Sequence, residues 1–337
     1  MNYSPIASEE ATFISESAIH ALDIHLASGE ASAMHRVAVG VFDQHGRTKR
    51  VSTFETHGAA QHETRLSLDC PLTCSDHVLV ACNAPGDLFE GYIPDEDAFR
   101  SRTMTVDEAL EGQSLSDDNV ALPLFGETAV LTLVEGKPYV ADVQLRPLMA
   151  RITLDTLELG MRSLDGYYGI DLFAPDRLLL VNVPERMTFG GAPDSQHRGH
   201  GDMTHYCKLG FHGHMCLGTS GVSGINGRRH FKGLSLYAPA CDGGDADHPL
   251  MLAVQGQFSP FGPGQMQIPV CFPLPLGRIE GGKHYHVSAK VTDIGHSMTY
   301  DAQGNPLVTP LGHDANTIHI EAGNLGEPWD GAAGATC

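Results

Sequence analysis

The sequence has few basic residues and no long apolar run, and both shortages exclude functions. Its 21 Lys and Arg stand against 41 Asp and Glu, which gives a formal net charge of −20 at pH 7. Because this charge repels phosphate backbones and anionic lipid headgroups, we expect neither nucleic-acid binding nor peripheral membrane binding. No apolar stretch approaches the length of a membrane-spanning helix, so we expect no bilayer-crossing segment.

The beginning of the chain lacks both features of a secretion signal. No Lys or Arg precedes Arg36, and no long apolar run follows Met1, whereas a signal peptide has a basic start and an apolar middle. Two origins therefore stay open. The chain is either cytoplasmic, or a mature or trimmed form of an exported protein that begins at an added Met1.

Cysteine pairs with metal-binding or redox spacing are also absent. The eight cysteines include no C-x-x-C pair, which is evidence against a zinc ribbon or a thioredoxin-like motif. Their even number permits disulfides in an exported protein, but the spacing assigns no partners. Cys82 lies in the apolar run HVLVACNA, and we predict that its thiol is buried and structural.

What the sequence does contain is mainly strand patterns. A chain of 337 residues exceeds what one hydrophobic core usually serves, so we expect two domains of roughly 150 residues each. The 38 Gly and 20 Pro favour turns, and the runs between them alternate between apolar and polar residues, which indicates an all-β fold. The predicted strands are 19–26, 35–43, 49–55, 65–68, 77–84, 122–127, 128–134, 168–173, 178–183, 231–237, 251–258, 266–272 and 284–291, and 128–134 and 168–173 lie mostly outside the residues that the structure describes. Thr105 and Glu108 have the spacing of a capping box and predict one short helix.

The stretch 139–157 indicates where the two domains meet. Apolar residues occupy every second position from Tyr139 to Leu145, which is the pattern of a half-buried strand. Pro147 cannot donate to a sheet ladder, so it interrupts this strand, and a second alternating run follows from Ala150. We therefore predict an N-terminal β-sandwich domain at residues 1–146 and a C-terminal β-sandwich domain at residues 147–337.

Residues 197–216 hold the richest collection of possible metal ligands. They include His197, His200, His205, Cys207, His212, His214 and Cys216. Imidazole and thiolate are good ligands for zinc or copper, but the spacing matches no zinc signature. The chain has 19 His in all, so composition alone produces some clustering. We predict an exposed polar loop without a metal, and we keep metal binding by this loop as an alternative.

Signals of catalysis are weaker still. The glycine-rich segment 218–224 lacks the Lys-Ser/Thr of a phosphate-binding loop and the spacing of a nucleophile elbow. The acidic segment 242–247 lacks the spacing of an EF-hand loop and is predicted to be a solvated turn. We predict no catalytic residue, no cofactor-binding residue and no metal ligand, and therefore a protein that is not an enzyme.

Several short segments follow one another in a fixed order along nearly the whole chain. They are the turn in 37–46, the N-A-P strand end in 80–85, 122–126, the junction residues Arg146, Ala150, Ile152 and Leu154, the N-V-P strand end in 180–184, 279–295, 318–320 and the lone Trp329. In motif and order these segments resemble FimA-type fimbrillins, the pilin subunits of Bacteroidales fimbriae. The corresponding family motifs include v-F-D-x-x-G, v-a-N-a-P, l-P-m-x-G and y-l-x-N-v-P.

The resemblance implies a structural role. It implies two β-sandwich domains of transthyretin-like, Greek-key type, export as a lipoprotein, and a place in a fimbrium at the cell surface on the outer membrane. The implied partners are other fimbrial subunits, with host or bacterial surface ligands for an adhesive subunit, and a membrane only through a lipid anchor absent from this chain. Family members assemble by β-strand exchange, because an incomplete sandwich exposes apolar core and an unpaired edge that a donated strand covers.

The candidate for the exchangeable strand carries Ile19, Leu22, Ile24 and Leu26. We predict that it is an edge strand of the first sandwich and that its three later apolar side chains are buried. Stalk pilins of the family are usually cleaved after an arginine in the loop that follows this strand. Here the first arginine is Arg36, at the start of the next predicted strand. Either another residue is cleaved or the strand is retained, as in an anchor or tip subunit.

A secreted β-sandwich that binds a glycan or a protein without polymerising is the alternative interpretation. A glycan site usually offers aromatic platforms, and a chain with a single Trp and 7% aromatic residues has few of them.

Overall fold

The structure is a computed structural model that describes most of the chain between Ile19 and Leu325. The described residues are 19–28, 32–56, 62–73, 75–111, 120–128, 139–160, 172–184, 186–190, 208–210, 222–225, 228–231, 235–243, 249–261, 265–292, 299–300, 306–307 and 316–325. Strands account for most of them, with two five-residue helices, and the predicted all-β class is confirmed. No helix among the described residues is long and apolar enough to cross a membrane.

Strands of the first half form two sheets whose inward residues share one core. The elements are β1 (Ile19–Ala27), β2 (Arg36–Phe42), β3 (Thr48–Glu55), β4 (Glu63–Pro71), β5 (His77–Cys82), α1 (Glu96–Arg100), β6 (Thr103–Thr105), α2 (Val106–Leu110), β7 (Leu124–Thr128), β8 (Tyr139–Gln144) and β9 (Arg146–Pro147). One sheet has the order β4-β1-β8 and the other β3-β2-β5-β7-β9. The predicted alternation along β8 is confirmed, because Tyr139, Ala141 and Val143 are buried and the residues between them are not.

The second half contains the remaining strands. They are β10 (Met149–Leu159), β11 (Phe173–Val181), β12 (Arg186–Thr188), β13 (Lys208–Gly210), β14 (Val222–Ile225), β15 (Arg228–Phe231), β16 (Ser235–Pro239), β17 (Met251–Phe258), β18 (Ile268–Pro275), β19 (Lys283–Val291), β20 (Thr299–Tyr300), β21 (Pro306–Leu307) and β22 (Asn316–Asn324). One sheet has the order β14-β15-β10-β19-β22, with β16 also pairing with β10, and another the order β13-β11-β17-β18. Ile152 of β10, Leu180 of β11 and Val287 of β19 lie in their shared core.

The chain passes from the first half to the second at Pro147. The short strand β9 pairs with β7, and β10 starts directly afterwards at Met149. Gly281 lies so close to this crossing that an added Cβ would be 2.7 Å from the Pro147 carbonyl oxygen, so only glycine fits there. Among the described strands, β6 with β12 is the one pairing that joins the two sides of Pro147. The domain division at residues 146 and 147 stays a prediction.

The predicted capping box is confirmed at the start of α2. The Glu108 backbone amide donates to Thr105 Oγ1 at 3.1 Å, and the Thr105 amide donates to the Glu108 carboxylate at 2.7 Å. The other helix, α1, was not predicted, although Asp95 caps it by accepting from the Ala98 amide at 2.8 Å. Five residues are too short to produce a hydrophobic periodicity, so the sequence signal for α1 is confined to its cap.

Two asparagines with left-handed backbone, Asn83 and Asn182, terminate strands β5 and β11. Their φ angles are 59° and 62°, a conformation that asparagine tolerates better than other non-glycine residues. Each is followed two positions later by a proline, so the two resembling segments 80–85 and 180–184 have the same local structure. The Asn83 amide nitrogen donates to the carbonyl oxygens of Ala33 (2.7 Å) and Leu122 (2.8 Å).

We predict that Asn83→Ala lowers the free energy of unfolding by about 2–4 kcal/mol. The change removes the side-chain hydrogen bonds and places alanine at a positive φ, which together cost this much. Asn83→Gly removes the same bonds without the backbone strain and should cost less. Asn182→Ala is the matched control, because its amide nitrogen donates to the single acceptor Pro249 O at 2.8 Å. Urea unfolding curves measure all three, and equal losses for Asn83→Ala and Asn182→Ala would contradict this account.

The predicted burial of Cys82 is confirmed. Its side chain has no solvent exposure, and burial raises the pKa of its thiol far above the usual value, because the thiolate would be desolvated.

Since the thiolate is the reactive form, we predict that iodoacetamide leaves Cys82 unmodified in the folded protein and alkylates it fully in urea. Mass spectrometry of the peptide that contains Cys82 measures this, and rapid labelling of the native protein would contradict it.

Candidate functional site

Strand β1 contains the predicted exchangeable residues, and the structure corrects its predicted position. It was expected at an edge, but it is the middle strand of the order β4-β1-β8. It pairs antiparallel with β4 along its whole length, from Ile19 opposite Pro71 to Ala27 opposite Glu63, and parallel with β8. The edge prediction was wrong because the second neighbour of β1 is β8, which lies more than a hundred residues further along the chain. A local sequence pattern does not indicate a parallel pairing between segments that far apart.

The inward face of β1 is buried as predicted. Leu22 and Ile24 have no exposed surface and Leu26 has 2%. These side chains lie in the same cluster as Val39 of β2 and Val80 of β5, which belong to the facing sheet. The nine-residue strand therefore completes both a sheet and a core. Ile19 begins the strand.

The outward face of β1 forms part of a cleft of about 800 Å³. Two rows of cross-strand neighbours line it, Arg65–His25–Asp142 and Glu63–Ala27–Gln144, each with one residue from β4, β1 and β8 in that order. His25 Nδ1 lies 3.1 Å from Asp142 Oδ1, and the two side chains are 38% and 82% exposed. The remaining lining residues are Leu26, Thr64 and Val143.

The polar groups of this cleft add little to the retention of β1. An ion pair with this exposure contributes about 0–1 kcal/mol, since water and salt screen it. The described lining of the cleft contains no Ser, Cys or Lys nucleophile. The inward apolar residues therefore dominate the energetics of the site. Sequence reasoning missed the His25–Asp142 pair, because the only signal was a charged residue on the polar face of each strand.

The connection from β1 to β2 is tied to the first sandwich by hydrogen bonds. Ser28 Oγ donates to the Ser32 carbonyl oxygen at 2.7 Å, and Ser32 Oγ accepts from the Leu122 amide at 2.7 Å. Both serine side chains are almost completely buried. Asn83 adds its bond to Ala33 O and accepts from the His35 amide at 2.9 Å. The N-A-P motif at residues 83–85 was the one sequence signal for this attachment.

Arg36 is the first residue of a paired strand, as its sequence position predicted. It begins β2 opposite Glu55 of β3, and its Nη2 lies 2.7 Å from Glu55 Oε1. The Arg36 carbonyl oxygen accepts from the backbone N–H of Asn83 at 2.8 Å. A protease binds an extended segment whose backbone groups are unpaired, and these bonds occupy the backbone next to Arg36.

A second group of ionisable side chains lies on the sheet that contains β10 and β19. The register shifts between Leu154 and Thr156, so Asp155 is the extra residue of a β-bulge, and its Oδ2 lies 3.0 Å from His286 Nδ1. Burial raises the pKa of Asp155, although His286 beside it acts in the opposite direction. The ring centroids of His284 and His286 are 4.0 Å apart. This arrangement had no sequence signal beyond alternation along β19.

No metal site can be assembled from the described residues, since they contain no group of three or more His, Cys, Asp or Glu with suitable positions. The predicted His- and Cys-rich segment 197–216 lies outside them, except for the backbone of Lys208–Gly210 in β13. Its exposure and the absence of a bound metal stay predictions.

Solved structures with the same fold come from Bacteroidales. A candidate cell adhesion protein from Bacteroides eggerthii is 14% identical, with a TM-score of 0.57 over 91% of this chain and 96% of that one. The tip fimbrial protein Mfa3 from Porphyromonas gingivalis, with a C-terminal truncation, is 10% identical, with a TM-score of 0.52 over 91% and 100%. The fimbrillin FimA from the same species is 11% identical, with a TM-score of 0.53 over 89% and 96%.

No protein-family model and no curated protein sequence matches the chain. At identities this low, a structural likeness establishes the fold. The chain therefore has the fold of Bacteroidales fimbrial proteins, as its resemblance to FimA-type fimbrillins implied.

Proposed function

We propose that this chain is a structural or adhesion subunit of a cell-surface fimbria, and that β1 is the strand exchanged between subunits. The observation that carries the proposal is the position of β1, a buried strand near the chain start that completes the first sandwich from between β4 and β8. Two proteins with this fold are a fimbrial tip protein and a fimbrillin, which supports the proposed location. The proposal involves no catalytic step.

The energetics of β1 suit an exchange mechanism. Burial of Leu22, Ile24 and Leu26 stabilises the first sandwich by about 1.5–3 kcal/mol for each side chain. Their sum is comparable to the whole stability of a typical domain, about 5–15 kcal/mol. Spontaneous release of β1 is therefore rare. Exchange requires that the covalent connection is cut and that an equally apolar strand replaces β1.

The middle position of β1 makes the vacated groove more selective than a sheet edge. Removal of β1 would leave two unpaired ladders, one on β4 and one on β8, on either side of an open apolar core. An incoming strand can pair on both sides only if it runs antiparallel to β4 and parallel to β8, as β1 does. Direction and register are therefore both specified.

The retained connection supports an anchor or tip subunit rather than a stalk subunit. Arg36 is the first arginine of the chain and its backbone belongs to β2, while Ser28, Ser32 and Asn83 attach the connection that precedes it. Such a subunit lies at one end of a fimbria and does not need to polymerise in both directions. The proposal includes the domains 1–146 and 147–337 and attachment at the outer membrane.

The alternative of a secreted binding module has one observation in its favour, the polar cleft over β1. Its described lining contains no Tyr, Trp or Phe, so no aromatic platform for a sugar ring is present there. The side chains that line this cleft therefore give no support to glycan binding, and we favour the fimbrial role.

We predict that deletion of residues 1–28 converts the chain into a self-associating or insoluble protein. The deletion opens the groove between β4 and β8 and exposes the core side chains that Leu22, Ile24 and Leu26 cover. Size-exclusion chromatography of the deleted and intact chains at the same low concentration measures this. A deleted chain that is monomeric, soluble and as stable as the intact one would overturn the exchange mechanism.

A synthetic peptide of residues 19–28 should restore a soluble monomer when it is added during refolding of the deleted chain. The matched control is the same peptide with Ile24→Asp, which retains the backbone pairing and places a charge in the core. Rescue by both peptides would show that the apolar face of β1 does not drive its binding.

An arginine-specific protease should leave β1 attached to the native protein. Cleavage after Arg36 would require the paired start of β2 to open. Intact-mass spectrometry of native protein after digestion measures this, with the urea-unfolded chain as the control that is cut at Arg36. Quantitative cleavage there under native conditions would support a stalk-type subunit instead.

A further inference from the structure

The middle strands of the sheet β3-β2-β5-β7-β9, which we call the central sheet, are buried on both faces. Along β2, Val39 and Val41 lie in the core that contains the side chains of β1, whereas Phe42 lies in the core that continues into the second half. On β5, Val80 lies in the first of these cores and Leu79 in the second. The central sheet is therefore the floor of the β1 groove on one face and has a separate cover on the other, its rear face.

A row of four phenylalanine rings covers the rear face and leads out of the first half. Phe42 of β2 contacts Phe99 of α1 with ring centroids 5.8 Å apart, and Phe99 contacts Phe89 at 4.5 Å. Phe89 in turn contacts Phe189, which follows β12 in the second half, at 5.1 Å. All four side chains are at most 4% exposed. Gly40 of β2 leaves room for this row, because an added Cβ would lie 2.5 Å from the Phe42 ring.

Backbone hydrogen bonds fix Phe189 at the end of the row. Its N–H donates to the Arg102 carbonyl oxygen at 3.1 Å, and the Gly190 N–H donates to the Arg100 carbonyl oxygen at 2.8 Å. These bonds continue the antiparallel ladder between β12 and β6. The second half thus supplies backbone and a buried ring to the rear cover of the central sheet, so the predicted domain of residues 1–146 does not contain the whole of its own core.

The rest of this rear cover has little stability of its own. The helices α1 and α2 have five residues each, whereas isolated helices shorter than about 12–15 residues are marginal in water. Among the described strands, β6 between them pairs only with β12. The segment from α1 to α2 is therefore held in place by its packing, and Phe189 is the ring through which the second half contributes to that packing.

We propose that Phe189 is a positioning residue for the exchange of β1, because it braces the central sheet from its rear face. No described residue of β1 belongs to the rear core, so the brace remains when β1 leaves. The floor of the vacated groove then keeps its shape. A groove that is already formed binds an incoming strand without the cost of ordering the groove first. The inference rests on the proposed function and adds a role for the second half in it.

Hydrogen exchange of the intact chain tests the brace without strand exchange. Phe189→Ala should speed the exchange of the β5 amides at residues 77–82 at least about tenfold, since it opens a cavity behind that strand. Phe189→Leu fills most of this cavity and should have a smaller effect. Phe272→Ala is the matched control, because Phe272 is equally buried but contacts Phe173 within the second half at 5.0 Å, and it should leave these amides unchanged.

Two results would overturn the brace. One is unchanged exchange of the β5 amides in Phe189→Ala, and the other is an equal acceleration by Phe272→Ala. If either alanine variant does not fold, the comparison of Phe189→Leu with Phe272→Leu decides in the same way.

The retention of a cut β1 tests the consequence for the groove. A protease site is introduced at residues 29–31 and cut in the folded protein, and gel filtration at decreasing protein concentrations, in urea below the unfolding transition, measures the dissociation constant of the cut strand. Phe189→Ala should raise this constant at least about tenfold, whereas Phe272→Ala should not. Equal constants for wild type and Phe189→Ala would refute the positioning role. A wild-type strand that is lost as soon as it is cut would instead refute the proposed strand exchange, and hydrogen exchange would still decide the brace.

Discussion

Burial of one strand between two distant partners is the interaction on which the first half of this protein depends. β1 supplies three fully or almost fully buried side chains and bridges β4 and β8, which have no other connection within their sheet. Without it the sheet is divided and the facing sheet loses its cover. β1 also precedes every other described strand of the chain. Its large contribution to the core and its pairing on both sides are the features that the proposed strand exchange would use.

Two edge strands, β18 and β3, carry residues that disfavour the addition of another strand. On β18, the last described strand of its sheet, Pro269, Pro273 and Pro275 have no N–H to donate to an added strand. β3, the edge strand beside β2, carries charged and hydroxyl side chains, and its Glu55 pairs with Arg36 of β2. An unprotected strand edge would allow aggregation through that edge, and these residues limit it on β18 and β3.

Asn83 and Asn182, whose backbone conformations are left-handed, end strands and also bond to neighbouring segments of the chain. Asn83 ends β5 and also bonds to Ala33 and His35 in the segment that joins β1 to β2, so one residue both terminates a strand and attaches the segment after the strand that we propose is exchanged. Asn182 ends β11 in the same backbone conformation and bonds to the segment before β17. In both cases a short polar side chain satisfies backbone groups that a turn would otherwise leave unpaired.

Local sequence patterns were sufficient to predict individual strands and helices of this protein, but they did not predict which strands pair with one another. Alternation along β8 and β19, the capping box at Thr105 and the burial of Leu22, Ile24 and Leu26 were all determined by the sequence, because side-chain periodicity follows from backbone geometry within one element. The middle position of β1, the Arg65–His25–Asp142 row and the bulge that brings Asp155 to His286 were decided only in the tertiary structure. These features depend on which strands pair and in what register, and pairing between segments more than a hundred residues apart is set by the packing of the whole core.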